Sequence, residues 1–141
     1  MIKGFICLRI SGLGLDIQSI TNSLKVRPDK AYKKGDSYVD IKYGNEPIVY
    51  QEDCWRVQIK TQSEESIEEA LERFIDTFIP AADYLNSISS KFDATIWVST
   101  YPESEQVNIR ISPKAIHNLC KLGVALDVGA IYLKQFYEGT Y

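Results

Sequence analysis

Histidine is nearly missing from this chain: His117 is the only one in 141 residues. One imidazole cannot build a histidine-based metal site, which takes three or four ligands, and no nucleophile or carboxylate stands at a spacing that would orient it for acid–base work. Cysteine is scarce as well. Cys7, Cys54 and Cys120 are odd in number, contain no C-x-x-C pair and lie beside apolar or aromatic neighbours, the pattern of unpaired thiols in a reducing cytoplasm. No apolar run approaches the roughly 20 residues of a membrane helix, so the expectation is a cytoplasmic protein with no membrane partner. Met1 to Ile10 is apolar enough for a secretory leader, but Arg9 interrupts the run and no small-residue cleavage site follows, so it reads as a strand. Low-complexity tracts, long Gly/Ser linkers and composition breaks are absent too. Residues 1–141 therefore read as one domain, able to bury about two thirds of its unfolded surface without staples.

What the chain does have is segregated charge. The formal net charge is −3 and the pI 5.2, yet Lys25 to Lys34 holds five cations, Lys25, Arg27, Lys30, Lys33 and Lys34, against Asp29 alone. The rest of the molecule is correspondingly acidic. Tyr32, Tyr38, Tyr43 and Tyr50 follow or interrupt this stretch, and Gly35-Asp36 closes it with a turn signal. A second cluster, Glu64, Glu65, Glu68, Glu69 and Glu72, opens a helical pattern.

Short elements succeed one another along the chain. A strand from about Lys3 to Ser11 leads through Gly12-Leu13-Gly14 into a helix capped by Asp16 and running to Leu24, with Leu15 and Ile20 placed as a hydrophobic staple. Tyr38 to Tyr43 follows, then a turn at Gly44-Asn45 and a strand from about Ile48 whose end, Trp55 to Lys60, alternates with Trp55, Val57 and Ile59 inward. Ser66 caps a second helix with Ile67, Leu71, Phe74, Ile75, Phe78 and Ile79 at helical spacing, which Pro80 ends or kinks. Ala81 to Phe92 resumes as helix. Ala94 to Tyr101 and Gln106 to Ile111 read as strands joined by a turn at Pro102, and Trp97, like Trp55, reads as mainly core. The last helix has Ser112 as cap, Pro113 at its first position and Gly123 beyond its end. Its buried stripe reads as Ala115, Ile116, Leu119, Cys120 and Leu122, which leaves His117 exposed. Val124 to Tyr132 closes the chain as a strand. The order β-α-β-β-α-(α)-β-β-α-β predicts an α+β domain with helices on one face of a largely antiparallel sheet. Leu8-Arg9-Ile10-Ser11 resembles Ile109-Arg110-Ile111-Ser112, which admits two related strand-helix-strand units, but two amphipathic strands ending at helix caps are the preferred explanation of so short a likeness.

The run Leu24-Lys25-Val26-Arg27-Pro28, then Ala31, Gly35-Asp36, Trp55, Ile111-Ser112-Pro113, Leu122-Gly123-Val124-Ala125-Leu126-Asp127 and Ile131-Tyr132 resembles a bacterial family that carries only a domain-of-unknown-function label. The resemblance spans nearly the whole chain. It implies a small intracellular α+β domain and supplies no catalytic residues.

The remaining candidates for chemistry are weak. Gly12-Leu13-Gly14-Leu15-Asp16 sits where a dinucleotide loop would, but Ile17 replaces the third glycine and Asp16 puts negative charge where a phosphate would rest. Cys54 has Arg56 nearby, but Glu52 and Asp53 oppose a thiolate. No cofactor and no metal site is expected. The first functional expectation is an interaction module that binds and neutralises an unidentified protein partner, as a small acidic immunity-type protein would, with Glu65, Glu68 and Glu72 as its partner face. The alternative is a binder of a phosphorylated ligand or single-stranded nucleic acid through Lys25, Arg27, Lys30, Tyr32, Lys33, Lys34 and Asp36. The acidic pI and the want of a second basic cluster weigh against nucleic acid.

Overall fold

A computed structural model describes residues 3–132. Period-two alternation in the first segment becomes strand β1 (Gly4–Gly12), and the residues after Asp16 become helix α1 (Ile17–Leu24). Asp16 caps that helix by accepting from Ser19 N at 3.0 Å, and Leu15 and Ile20 are both buried, as a staple requires. Three short strands follow, β2 (Lys30–Tyr32), β3 (Ser37–Tyr38) and β4 (Ile48–Val49), before the long β5 (Asp53–Lys60). Helices α2 (Ile67–Phe78) and α3 (Ala82–Ser89) are separated by a 3₁₀ turn at Ile79–Ala81, where Pro80 cannot donate to a continuous helix. Strand β6 (Asp93–Thr100), helix α4 (Pro113–Leu122) and strand β7 (Ala125–Ala130) complete the described chain.

The main sheet has the order β2-β5-β1-β6-β7, antiparallel throughout except for the parallel β6–β7 pair, and β3 and β4 form a separate two-stranded ladder. The fold is α+β, as the element order predicts. Ile6, Leu8 and Ile10 of β1, Trp55 of β5 and Ala94, Ile96 and Val98 of β6 point to one face and join the buried residues of α1, α2, α3 and α4 in a single core. Trp55 is fully buried, and its indole donates to Thr21 Oγ1 at 3.1 Å, so the largest core side chain also ties β5 to α1. Val57 and Ile59 lie partly buried against the same core. The last helix ends at Gly123, whose φ of 69° suits glycine and whose N–H caps Leu119 and Cys120; a Cβ there would stand 2.8 Å from Asn86 Nδ2.

Four expectations need correction. Residues 106–111 form no strand: β6 already has β1 on one side and β7 on the other, which leaves it no free ladder edge. Their alternation instead lets Ile109 and Ile111 pack on the core from an extended segment, so the likeness between Leu8–Ser11 and Ile109–Ser112 joins a strand to a non-strand. Trp97 is not core but 42% exposed, because its parity is opposite to that of Ile96 and Val98. On α4 the buried stripe is the narrower Ala115, Leu119 and Leu122; Ile116 is 57% exposed, Cys120 is exposed, and so is His117. Within Tyr38 to Tyr43 only Tyr38, the end of β3, is in a strand, and a 3₁₀ turn at Ile41–Tyr43 capped by Asp40 follows, since Asp40 accepts from Lys42 N and turns the chain.

Trp55→Ala is expected to cost about 3 to 5 kcal/mol, since it empties the centre of the core and removes the indole's hydrogen bond to Thr21. His117→Ala should leave stability unchanged. Urea melts of the two variants check the ranking, and the reverse order would mean that the buried faces are misassigned.

Candidate functional site

Asp53 opens β5 at the junction of three loops. Its side chain is only 3% exposed, yet it is ionic. One oxygen accepts from Gly14 N at 2.8 Å, Leu15 N at 3.0 Å and Lys33 Nζ at 3.0 Å, and the other from Lys34 N at 2.7 Å. A carboxylate buried among four donors is stabilised in its charged form, and the Lys34 amide, the Lys33 ammonium and the Leu15 and Gly14 amides hold it well below the usual carboxylate range against the opposing effect of burial. Gly14, at φ 84°, gives the chain the left-handed turn that aims two successive amides at one oxygen.

This arrangement fixes the basic segment. Lys33 Nζ also donates to the Leu15 carbonyl at 2.6 Å, so its charge is spent inside the fold. Asp36 accepts from Lys33 N at 2.8 Å and donates its own amide to the Lys33 carbonyl, which closes a tight turn across Gly35. Gly35 N then donates to the Tyr50 carbonyl, and Tyr50 N to Asp36 O, so the two ends of the excursion are bonded. Above this base the rings of Tyr32 and Tyr50 stack with centroids 3.5 Å apart, and Tyr38 stacks on Tyr50 at 4.8 Å. Lys30 Nζ stands 5.6 to 5.7 Å from all three rings, where it gains cation–π attraction. Tyr32, Tyr38 and Tyr50 thus spend their faces on one another.

Of the candidate residues, Tyr32, Lys33 and Asp36 line an open depression of about 570 Å³ together with Leu15, Asp16 and Ile17. Lys30 belongs to the tyrosine stack. Lys25, Arg27 and Lys34 are exposed, Lys25 as the left-handed cap of α1. The depression places the carboxylates of Asp16 and Asp36 beside an ammonium that is already paired.

The acidic residues of α2 and its approach also have internal partners. Glu65 receives Arg73 through Nε at 2.9 Å and NH2 at 3.0 Å, and its acidity is raised by that pair; it also accepts from Gln62 N. Glu68 accepts from Arg110 N at 3.4 Å, and Glu72 accepts the Ser112 hydroxyl. Together Glu68 and Glu72 fasten the extended segment that leads into α4. Among the described residues no group of three His, Cys, Asp or Glu side chains could hold a metal ion, and no helix is long and apolar enough to cross a membrane.

A family model described as Domain of unknown function (DUF4279) matches residues 2–133. The chain belongs to that family. No curated protein and no solved structure matches it. The DUF4279 assignment agrees with the domain-of-unknown-function resemblance carried by the sequence and brings no activity with it.

Nothing in the sequence sets Asp53 apart from the other aspartates of the chain. A lone Asp at the head of an alternating strand gives no sign that two distant loops will turn their amides toward it. In the sequence Arg9 signifies only as the break in a leader-like run and Arg56 only as a neighbour of Cys54, although period-two counting puts both opposite to the core residues of their strands.

Because the folded pKa of Asp53 is depressed, its contribution is fully present above the unfolded value of about 3.9 and is lost as pH falls through the folded one. Asp53→Asn should therefore be clearly less stable than wild type near about pH 7, and the gap should narrow progressively as pH falls below about 4. Thermal melts across that range check it; a gap that stays constant would mean that Asp53 is not the ionic hub.

Proposed function

We propose that this domain is a protein-binding module that docks through the excursion between β2 and β5. The observation that carries the reading is the distribution of apolar side chains along that excursion. Val49 stands opposite Ser37 on one face of the β3–β4 ladder, Val39 just past β3 is 55% exposed, and Ile41, in the 3₁₀ turn, is 85% exposed. Three exposed apolar side chains gathered on one segment that adds little to the core mark a contact site more often than a packing defect. Tyr38 and Ile48 face the other way, and Tyr38 joins the tyrosine stack, so one side of the ladder is held and the other is presented.

Rigidity supports the same reading. Asp53, Lys33 and the Tyr50 backbone bonds clamp the base, so docking would order few groups and lose little entropy. Lys34 and Lys42 on one hand and Asp36, Asp40 and Glu46 on the other surround the apolar residues, which favours a partner whose rim carries both signs of charge. An immunity-type role, in which the bound protein is a toxin, is one form of this reading and draws on the same surface.

The test compares capture by wild type with capture by a Val39→Asp, Ile41→Asp double variant. Both side chains are exposed, so the fold should survive. The double variant is expected to lose at least about tenfold in affinity for whatever protein wild type retains. A Glu65→Lys, Glu68→Lys, Glu72→Lys triple variant should retain it if stable. Retention by the double variant with loss in a folded triple variant would move the interface to α2.

A further inference from the structure

The helices cover one face of the main sheet, and among the described residues no helix packs on the other. Register places three cations side by side on that second face. Lys30 of β2 pairs with Arg56 of β5, and Arg56 pairs with Arg9 of β1. Like charges directly opposite one another on neighbouring strands destabilise a sheet. Arg9 finds partial relief in Glu52 at 3.4 Å and in the side chains of Tyr32 and Cys54. Lys30 lies against the tyrosine stack. Arg56, between them, has no ion pair among the described residues, and its Nε is a buried donor without an acceptor. Register sets Arg9 and Arg56 directly opposite one another on neighbouring strands, so both cations belong to the middle of this face.

Beside them stands Trp97, opposite Cys7 and one step along from the Arg9–Thr95 pair. That diagonal separation is about 7–8 Å, within the reach of one nucleotide from phosphate to base. The carboxylates on this face lie at its margins: Glu52 on Arg9, Asp93 on the Thr95 hydroxyl, and Asp127 beyond Trp97. Phe5 and Lys60, paired with each other, continue the surface on the far side.

We propose that the face of the sheet opposite the helices binds a nucleotide unit, with the phosphate over Arg9 and Arg56 and the base stacked on Trp97. Guanidinium forks match phosphate oxygens two at a time, and an exposed indole accepts any base by its π face. An anion at this point also offsets the repulsion within the cationic row. The arrangement is separate from the apolar hairpin tip, and either surface can function without the other.

The experiment uses the whole chain at low salt, with single-stranded oligothymidylate and AMP as ligands and inorganic phosphate and an oligoglutamate peptide as competitors. Oligothymidylate is expected to quench Trp97 fluorescence saturably and to weaken steeply with salt. Arg56→Gln should weaken it about tenfold and lower the salt slope by about one. Trp97→Ala, followed by anisotropy of a labelled ligand, should weaken oligothymidylate and AMP but leave phosphate untouched. Oligothymidylate at least about tenfold tighter than AMP identifies the source as a single strand, and equal binding identifies a free nucleotide. Arg56→Gln should also melt no lower than wild type, because it relieves a like-charge contact; a markedly lower melting point would make Arg56 a structural group and overturn the proposal. Absence of saturable binding, an unchanged Arg56→Gln variant, or equal displacement by oligoglutamate would overturn it as well, the last pointing to an acidic protein surface instead.

Discussion

The carboxylate of Asp53 is the constraint on which the functional half of the molecule depends. It stands at the first residue of β5, and the amides of Gly14, Leu15 and Lys34 and the ammonium of Lys33 all point to it. These donors come from two loops that are distant in sequence. One leads from β1 into α1, and the other begins the excursion that returns at Asp53 itself. A single ionised group thereby sets the entry of a helix, the turn of the basic segment and the closure of the hairpin. Burying that charge is favourable only because every nearby donor is turned inward, which is why the segment richest in lysine is ordered at its base.

The sheet is asymmetric, and the asymmetry organises the rest. On one face, Ile6, Leu8, Ile10, Trp55, Ile96 and Val98 form a continuous apolar layer under four helices. On the other, the same strands carry Cys7, Arg9, Arg56, Gln58 and Trp97. An antiparallel sheet tolerates one solvated face, but a solvated face ordinarily interleaves its charges. Here cations occupy neighbouring strands at one level, and the tyrosine stack and Glu52 offset only part of their repulsion.

Charge counted along the chain is a poor guide to the field around the fold. The acidic run at the start of α2 looks like a solvated partner face, yet Glu65 is held by Arg73, Glu68 by the Arg110 amide and Glu72 by the Ser112 hydroxyl. The basic run looks like a phosphate site, yet Lys33 is consumed by Asp53 and Lys30 by three aromatic rings. In both clusters, residues that seem free in sequence anchor segments that have no ladder or helix of their own.

The sequence by itself determined the class of the fold, the caps of α1, α2 and α4, the inward set on β5 and the exposure of His117. These follow from periodicity and from capping chemistry within four or five residues, where the partners are already neighbours in the chain. Tertiary structure alone decided which strands meet. Because β6 lies between β1 and β7, residues 106–111 have no edge to join and alternate without becoming a strand. Because β5 lies between β1 and β2, Arg9, Arg56 and Lys30 fall into one row although 47 positions separate Arg9 from Arg56. The face of a residue is written in its parity, but its neighbours across the sheet are set by register, and register is fixed by contacts that span most of the chain.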